Sequence, residues 1–294
     1  MNQTVATYKD FSETACEVGE GPTYDTATGT TYWFDIPGKT LLEMSGKGEE
    51  TIHTLPFAAS LLAVIDDQSQ LIATENGLFR RTVADGSLTL IKELEPDKPE
   101  NRSNDGRVHP SGALWIGTMG WQSADNAGAI YHYYKGELRT LFDGITVPNA
   151  ICFTADGATG YFTDSPARKV MKVALDPATG LPVATPTVFL DEAASDRGFA
   201  DGAVVDADGN FWCARWDGGC VQGFDPSGVC FETIELPTDR VTCPAFTGRD
   251  LSRMIVTSAY IGLDDDQMRA QPDAGETFLL EARFRGKADP RVLI

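Results

Sequence analysis

Asp201-Gly202-Ala203-Val204-Val205-Asp206-Ala207-Asp208-Gly209-Asn210-Phe211-Trp212-Cys213-Ala214-Arg215-Trp216 decides the fold, together with the twenty residues that follow it. Residues 201–205 are an apolar run, Asp206-Ala207-Asp208-Gly209 a hairpin turn, and residues 210–216 a second strand. Asp217-Gly218-Gly219 turns the chain again before a third strand at 220–224. Asp225-Pro226-Ser227-Gly228 is the next turn, and residues 229–236 complete a fourth strand. Asp-Gly and Pro-Ser-Gly supply the positive φ values and preset bends that hairpins need. Four short strands in one meander are the blade of a β-propeller.

The unit recurs along the chain. Short β-branched and aromatic runs, each preceded by a polar turn, centre on Trp33, Ile72, Trp115, Tyr161, Trp212 and Ile255. Their spacings of 39, 43, 46, 51 and 43 residues match the period of a four-stranded blade, so six anchors predict six blades. The expected fold is therefore all-β, a six-bladed propeller with a central metal site, formed as one domain by residues 1–294. A ring must close to remove its sheet edges. Residues 4–13 are left over before the first blade and are expected to add the outer strand of the last one. Residues 93–101 form a polar, Pro-containing loop placed to rim an opening, and a short helical turn is expected at 264–269.

A net charge of −19 excludes nucleic acid as a partner, because a phosphate backbone requires compensating Lys and Arg. One local basic pocket could still accept an anionic substrate. No apolar run is long enough to span a bilayer, so no membrane partner is expected. Met1-Asn2-Gln3-Thr4 has neither the basic start nor the apolar stretch of a signal peptide. The six cysteines form no CxxC pair and read as reduced thiols, which points to a cytoplasmic location.

Propeller sites form where the inner strands begin, around the central channel. The equivalent position, eleven to thirteen residues before each anchor, holds Glu20, Ser60, Asn104, Asn149, Asp201 and Cys243 in the six repeats. Four of these six are carboxylates or carboxamides. Any one alone would read as a strand-starting or turn-capping residue. Four at one level of a narrow channel would be costly unless something compensates them, and a cation does so. Two carboxylates and two amides, without His or Cys, favour a hard ion such as Ca2+, Mg2+ or Mn2+ over a structural zinc site.

Gly19-Glu20-Gly21-Pro22, Arg102-Ser103-Asn104-Asp105-Gly106, Gly117-Thr118-Met119, Pro148-Asn149, Tyr161-Phe162-Thr163-Asp164-Ser165 and Asp201-Gly202 occur in that order. This set, from about Cys16 onward, resembles the gluconolactonase/regucalcin (senescence marker protein 30) family, and in particular its bacterial sugar lactonases. The resemblance implies that Glu20, Asn149 and Asp201 bind one divalent ion. Ca2+ is the first expectation, with Mg2+, Mn2+, Zn2+ and Fe2+ as the other candidates. It also implies that Arg102 and Asn104 contact a small-molecule sugar lactone. A family glutamate that touches the sugar corresponds here to Gln122, a departure that bears on the substrate more than on the chemistry.

The implied reaction is hydrolysis of an aldonolactone to the aldonic acid, with a metal-polarised carbonyl and an activated water. Asp201 is the expected general base as well as a ligand, its pKa depressed by the metal. Two alternatives stay open: a metal-dependent propeller esterase or organophosphatase, and a non-catalytic calcium-binding protein. Serine-hydrolase chemistry is excluded by the lack of a Gly-x-Ser-x-Gly elbow. His53, His109 and His132 lie in different repeats and read as structural. Asp206-Ala207-Asp208-Gly209 resembles the start of an EF-hand loop, but the later glutamate is missing and a turn is the better reading.

Overall fold

The computed structural model describes residues 8–294 and contains six four-stranded antiparallel sheets. The reading of the N-terminus as lacking a signal peptide falls on residues outside that range. The inner strands of blades 1 to 6 are Gly19–Asp25, Ala59–Val64, Asn101–Val108, Pro148–Phe153, Phe199–Val205 and Val241–Thr247. Each touches the inner strands of its two neighbours, and the last touches the first, so the sheets close a ring around a channel. All six anchors lie on second strands, from Trp33 on Thr30–Asp35 to Ile255 on Arg253–Ser258. The blade read in full from sequence is Phe199–Val205, Phe211–Trp216, Cys220–Phe224 and Cys230–Glu235.

Closure follows the expectation where it is described. Tyr8–Ser12 pairs antiparallel with Thr277–Leu280 and forms the outer strand of blade 6, with Tyr8 opposite Leu280. Residues 4–7 of the expected closing segment lie outside the described residues. Aromatic contacts bind neighbouring blades: Trp115 of blade 3 meets Phe153 (5.2 Å) of blade 4, and Tyr161 of blade 4 meets Phe211 (5.2 Å) of blade 5. Such pairs add about 0.5–1.5 kcal/mol beyond the area they bury.

The one α-helix among the described residues is Asp265–Ala270, where a helical turn was expected. Asp264 starts it with a capping box, accepting from the Asp266 and Gln267 N–H groups while Gln267 reaches back. Among the described residues no helix is long and apolar enough to cross a membrane. The three histidines have structural partners: Glu43 for His53, Ser111 and the Gly157 carbonyl for His109, and the Thr179 carbonyl for His132. All six cysteines are free thiols, five of them buried and Cys230 exposed.

The inner strands share one irregularity that positions the site. Each breaks register with its second strand near its start: between Glu20 and Thr23, Ala59 and Leu61, Ser103 and Gly106, Asn149 and Cys152, Ala200 and Ala203, and Val241 and Pro244. A bulge leaves an extra residue unpaired and re-aims its side chain. Of the six equivalent positions found by repeat spacing, Ser60, Asn104, Asp201 and Cys243 lie within these bulges, and Glu20 and Asn149 are the paired residues at which theirs begin. Gly21 (φ 59°) and Ala150 (φ 56°) supply the left-handed backbone at two of the bulges. A Cβ on Gly21 would lie 2.1 Å from the Ser60 carbonyl oxygen, so blades 1 and 2 approach closely only because that residue is glycine.

Candidate active site

At the bulge level the channel opens into a cavity of about 400 Å³. Its lining includes Glu20 from blade 1, Arg102 and Asn104 from blade 3, Asn149 and Ser165 from blade 4, and Asp201 from blade 5. Five expected site residues thus converge on one cavity from four blades. A larger groove of about 790 Å³ lies between blades 1 and 6 at the opposite ends of these strands. It is open and holds none of the buried carboxylates, so the chemistry belongs to the channel.

Gln122 does not join them. The chain turns at residues 120–123, where the Ser123 N–H donates to the Gly120 carbonyl (2.9 Å) and Ser123 takes φ 51°. That turn exposes Gln122 and leaves its neighbours Trp121 and Ser123 lining the cavity. Gln122, the expected substrate contact, is exposed and lies outside the cavity lining, one residue from each of these two.

The carboxylates are held in a demanding environment. Glu20 (7 % exposed) and Asp201 (5 %) are buried, and Asp105 (5 %) lies beside them in the blade 3 bulge. Burial and then the Asp105 charge push the Glu20 carboxyl up to about 8. Burial raises Asp201 well above the ordinary carboxylate range, and the Glu20 and Asp105 charges add to this. The depressed Asp201 pKa expected from sequence presupposes a cation against the carboxylate; without that charge, desolvation and like-charge repulsion dominate. Burial lowers the Arg102 guanidinium to about 10, against the opposing pull of Glu20 and Asp201.

Asp105 has a structural task that repeat spacing, which stopped at Asn104, did not find. Its Oδ1 accepts from the Gly106 N–H (2.8 Å) and its Oδ2 from the Ile151 N–H (2.7 Å), tying the bulge of blade 3 to that of blade 4. Burial raises it to about 6, restrained by Arg107 and by those two N–H groups. Arg107 in turn pairs with Asp289 (3.5 Å) of the C-terminal segment, residues 281–294. That segment crosses the far end of the channel: the Arg285 carbonyl accepts from the Ala207 N–H, and the Val292 and Leu293 N–H groups donate to Val64 and Gly112. No repeat position marks it.

Asn104 is more committed than a substrate contact needs to be. Its Oδ1 accepts from Arg102 Nη1 (2.7 Å), and its Nδ2 donates to the Pro148 carbonyl (2.9 Å) and to Asn149 Oδ1 (2.9 Å). Arg102 itself keeps a buried Nε without a partner. The mouth is apolar, with Trp121, Phe199 and Trp216 among its walls. Arg102 lies over Trp121 (5.3 Å), Arg168 over Phe199 (4.8 Å) and Arg240 over Trp216 (5.3 Å). Of these three arginines only Arg102 lines the cavity, together with Glu20 and Asp201.

The donor set fits a hard cation. Glu20, Asn149 and Asp201 offer oxygen only, and two buried carboxylates whose ionisation is opposed by each other and by Asp105 gain most from a bound positive charge. Among the described residues no three His, Cys, Asp or Glu side chains form a metal cluster.

The family model described as "SMP-30/Gluconolactonase/LRE-like region" matches residues 18–260. A solved structure of regucalcin, a calcium-binding protein from Agrobacterium tumefaciens, superposes with a TM-score of 0.96 at 48% identity, covering 98% of each chain. The L-arabinolactonase of Azospirillum brasilense is 32% identical over 96% of this chain and 94% of its own. Pentonolactonase XacC of Haloferax volcanii is 33% identical over 95% of this chain and 96% of its own. The chain belongs to the SMP-30/gluconolactonase/LRE-like family.

Proposed function

We propose that the protein is a carboxylic ester hydrolase that opens sugar lactones, with one divalent cation held by Glu20, Asn149 and Asp201. Its relatives named L-arabinolactonase and pentonolactonase support hydrolysis of aldonolactones. The observation that carries the reading is the convergence of two buried carboxylates, two amides and an arginine on one cavity of about 400 Å³. That volume suits a single small ring.

When bound, the cation would supply Lewis-acid polarisation of the lactone carbonyl. The remaining work falls to side chains. Asp201, which the cation would keep ionised, removes the proton from the attacking water. Arg102, with its free Nε, orients the lactone by its carbonyl or ring hydroxyls. Asn104 holds Arg102 in place. Trp121, Phe199 and Trp216 exclude bulk water from the mouth, which strengthens every polar interaction below them.

The same apolar wall favours a second reading, hydrolysis of aryl esters. Initial rates on pentono- and hexonolactones beside a set of phenyl and naphthyl acetates separate the two. The proposal requires kcat/KM to be higher on at least one aldonolactone than on every aryl ester. Turnover confined to the aryl esters refutes the sugar assignment. Cation binding without turnover of either class leaves only a calcium-binding role.

A further inference from the structure

Arg102, Asn104, Asn149 and Ser165 form one hydrogen-bonded chain that runs from blade 3 through blade 4 and ends on blade 5. Arg102 Nη1 donates to Asn104 Oδ1 (2.7 Å), Asn104 Nδ2 to Asn149 Oδ1 (2.9 Å), Asn149 Nδ2 to Ser165 Oγ (3.0 Å), and Ser165 Oγ to the Ala200 carbonyl (2.7 Å). Every donor points the same way along it.

The ends dictate that direction. A guanidinium only donates and a backbone carbonyl only accepts. The single Ser165 proton is committed to Ala200, so its oxygen can only accept, and the Asn149 amide must turn Nδ2 toward it. From the other end Arg102 claims Asn104 Oδ1, and the Pro148 carbonyl accepts from Asn104 Nδ2 (2.9 Å). Asn104 therefore meets Asn149 with a donor, which again demands Asn149 Oδ1 on that side. Two independent arguments give one orientation for an amide whose ends look alike in shape. The middle of the chain is buried: Asn149 is 4 % exposed, Ser165 7 % and Asn104 9 %.

We infer that Ser165 is a positioning residue whose hydroxyl holds the Asn149 amide with its oxygen toward the cation donor set. This rests on the cation reading given above. Asn149 Oδ1 has two lone pairs, one used by Asn104 and one left for a cation. Without the hydroxyl, Asn149 Nδ2 loses its acceptor and nothing on that side opposes a flip that turns two hydrogens toward the cation. Backbone contacts of Ser165 survive the change, since its N–H donates to Val147 and its carbonyl accepts from Arg168.

The test uses the full chain stripped with a chelator. Calorimetric titration with CaCl2 and with MnCl2 is run beside the melting temperature of the metal-free protein, for wild type, Ser165→Ala and Ser165→Thr. Loss of an outer-shell partner costs about 10- to 100-fold in metal affinity, and the Ala variant is expected at the lower end of that range. Its metal-free melting temperature stays near wild type, and Thr, which restores the hydroxyl, recovers most of the affinity. Ala binding as tightly as wild type overturns the inference alone. So does weak binding by both variants in step with a lowered metal-free melting temperature. A wild-type chain that binds neither ion overturns the cation reading together with this one.

Discussion

Acidification should weaken cation binding, and the buried carboxyls set by how much. Burial and the Asp105 charge push Glu20 up to about 8, and Asp201 is raised by burial and by both neighbouring carboxylates. A cation takes the ionised forms, so protons compete with it as the pH falls through that region. For a single group near 8, lowering the pH from about 8.5 to 6.5 weakens binding by roughly 25-fold, and Asp201 adds to this. The metal-free protein should show the opposite trend in stability. A carboxyl whose folded pKa exceeds its unfolded value contributes stability below the unfolded pKa and loses it as the pH rises through the folded one. The metal-free melting temperature is therefore expected to fall from about pH 5 to 8.5, and Ca2+ to restore it most at the alkaline end. Calorimetric titration at several pH values, in buffers of different ionisation enthalpy, reads both the affinity and the protons released. Affinity that is flat across this range, with no proton release, would refute the electrostatic argument.

Other perturbations test single parts of the account. Trp121→Ala removes the ring beneath Arg102 and should raise KM several-fold, since a partly desolvated cation–π contact contributes ~0.5–2 kcal/mol. Gln122→Ala should leave both constants unchanged, as measured by steady-state kinetics on the same lactone. Asp206→Ala removes the acceptor of the Asp208 and Asn210 N–H groups and of Trp212 Nε1 (3.0 Å). The orphaned indole alone is expected to cost about 1–3 kcal/mol in urea unfolding. Arg215→Met strands Glu192 as a buried unpaired charge and should cost about 3–5 kcal/mol. It also frees the Arg197 carbonyl, and so slackens the turn at Gly198 that leads to Phe199 in the cavity wall; a rise in KM beyond the stability loss would show it.

The ring was legible because a blade repeats: Trp33, Ile72, Trp115, Tyr161, Trp212 and Ile255 occupy one position in six copies of a meander. Their spacing also located Glu20, Asn104, Asn149 and Asp201, since a residue at a repeated offset lands at a repeated place in the ring. What could not be read is whatever breaks the period. The bulges have no fixed residue type, being met by glycine at Gly21 and by Ala150 in blade 4. Asp105 stands one residue from an expected position, yet it serves Gly106 and Ile151 rather than the donor set. Which residues around Gln122 line the cavity is decided by a turn, whose geometry the spacing does not carry. Ser165 belongs to a motif visible in the sequence, but its role depends on a proton committed to Ala200 across a blade boundary.

The most direct test strips the protein of metal and follows hydrolysis of a pentonolactone by pH-stat before and after adding Ca2+, Mg2+, Mn2+, Zn2+ or Fe2+, with Asp201→Asn carried in parallel. Turnover is expected to vanish on stripping, to return with one of these ions in the wild-type chain, and to stay absent in the variant. Undiminished turnover by the stripped protein, or by Asp201→Asn, would contradict this expectation.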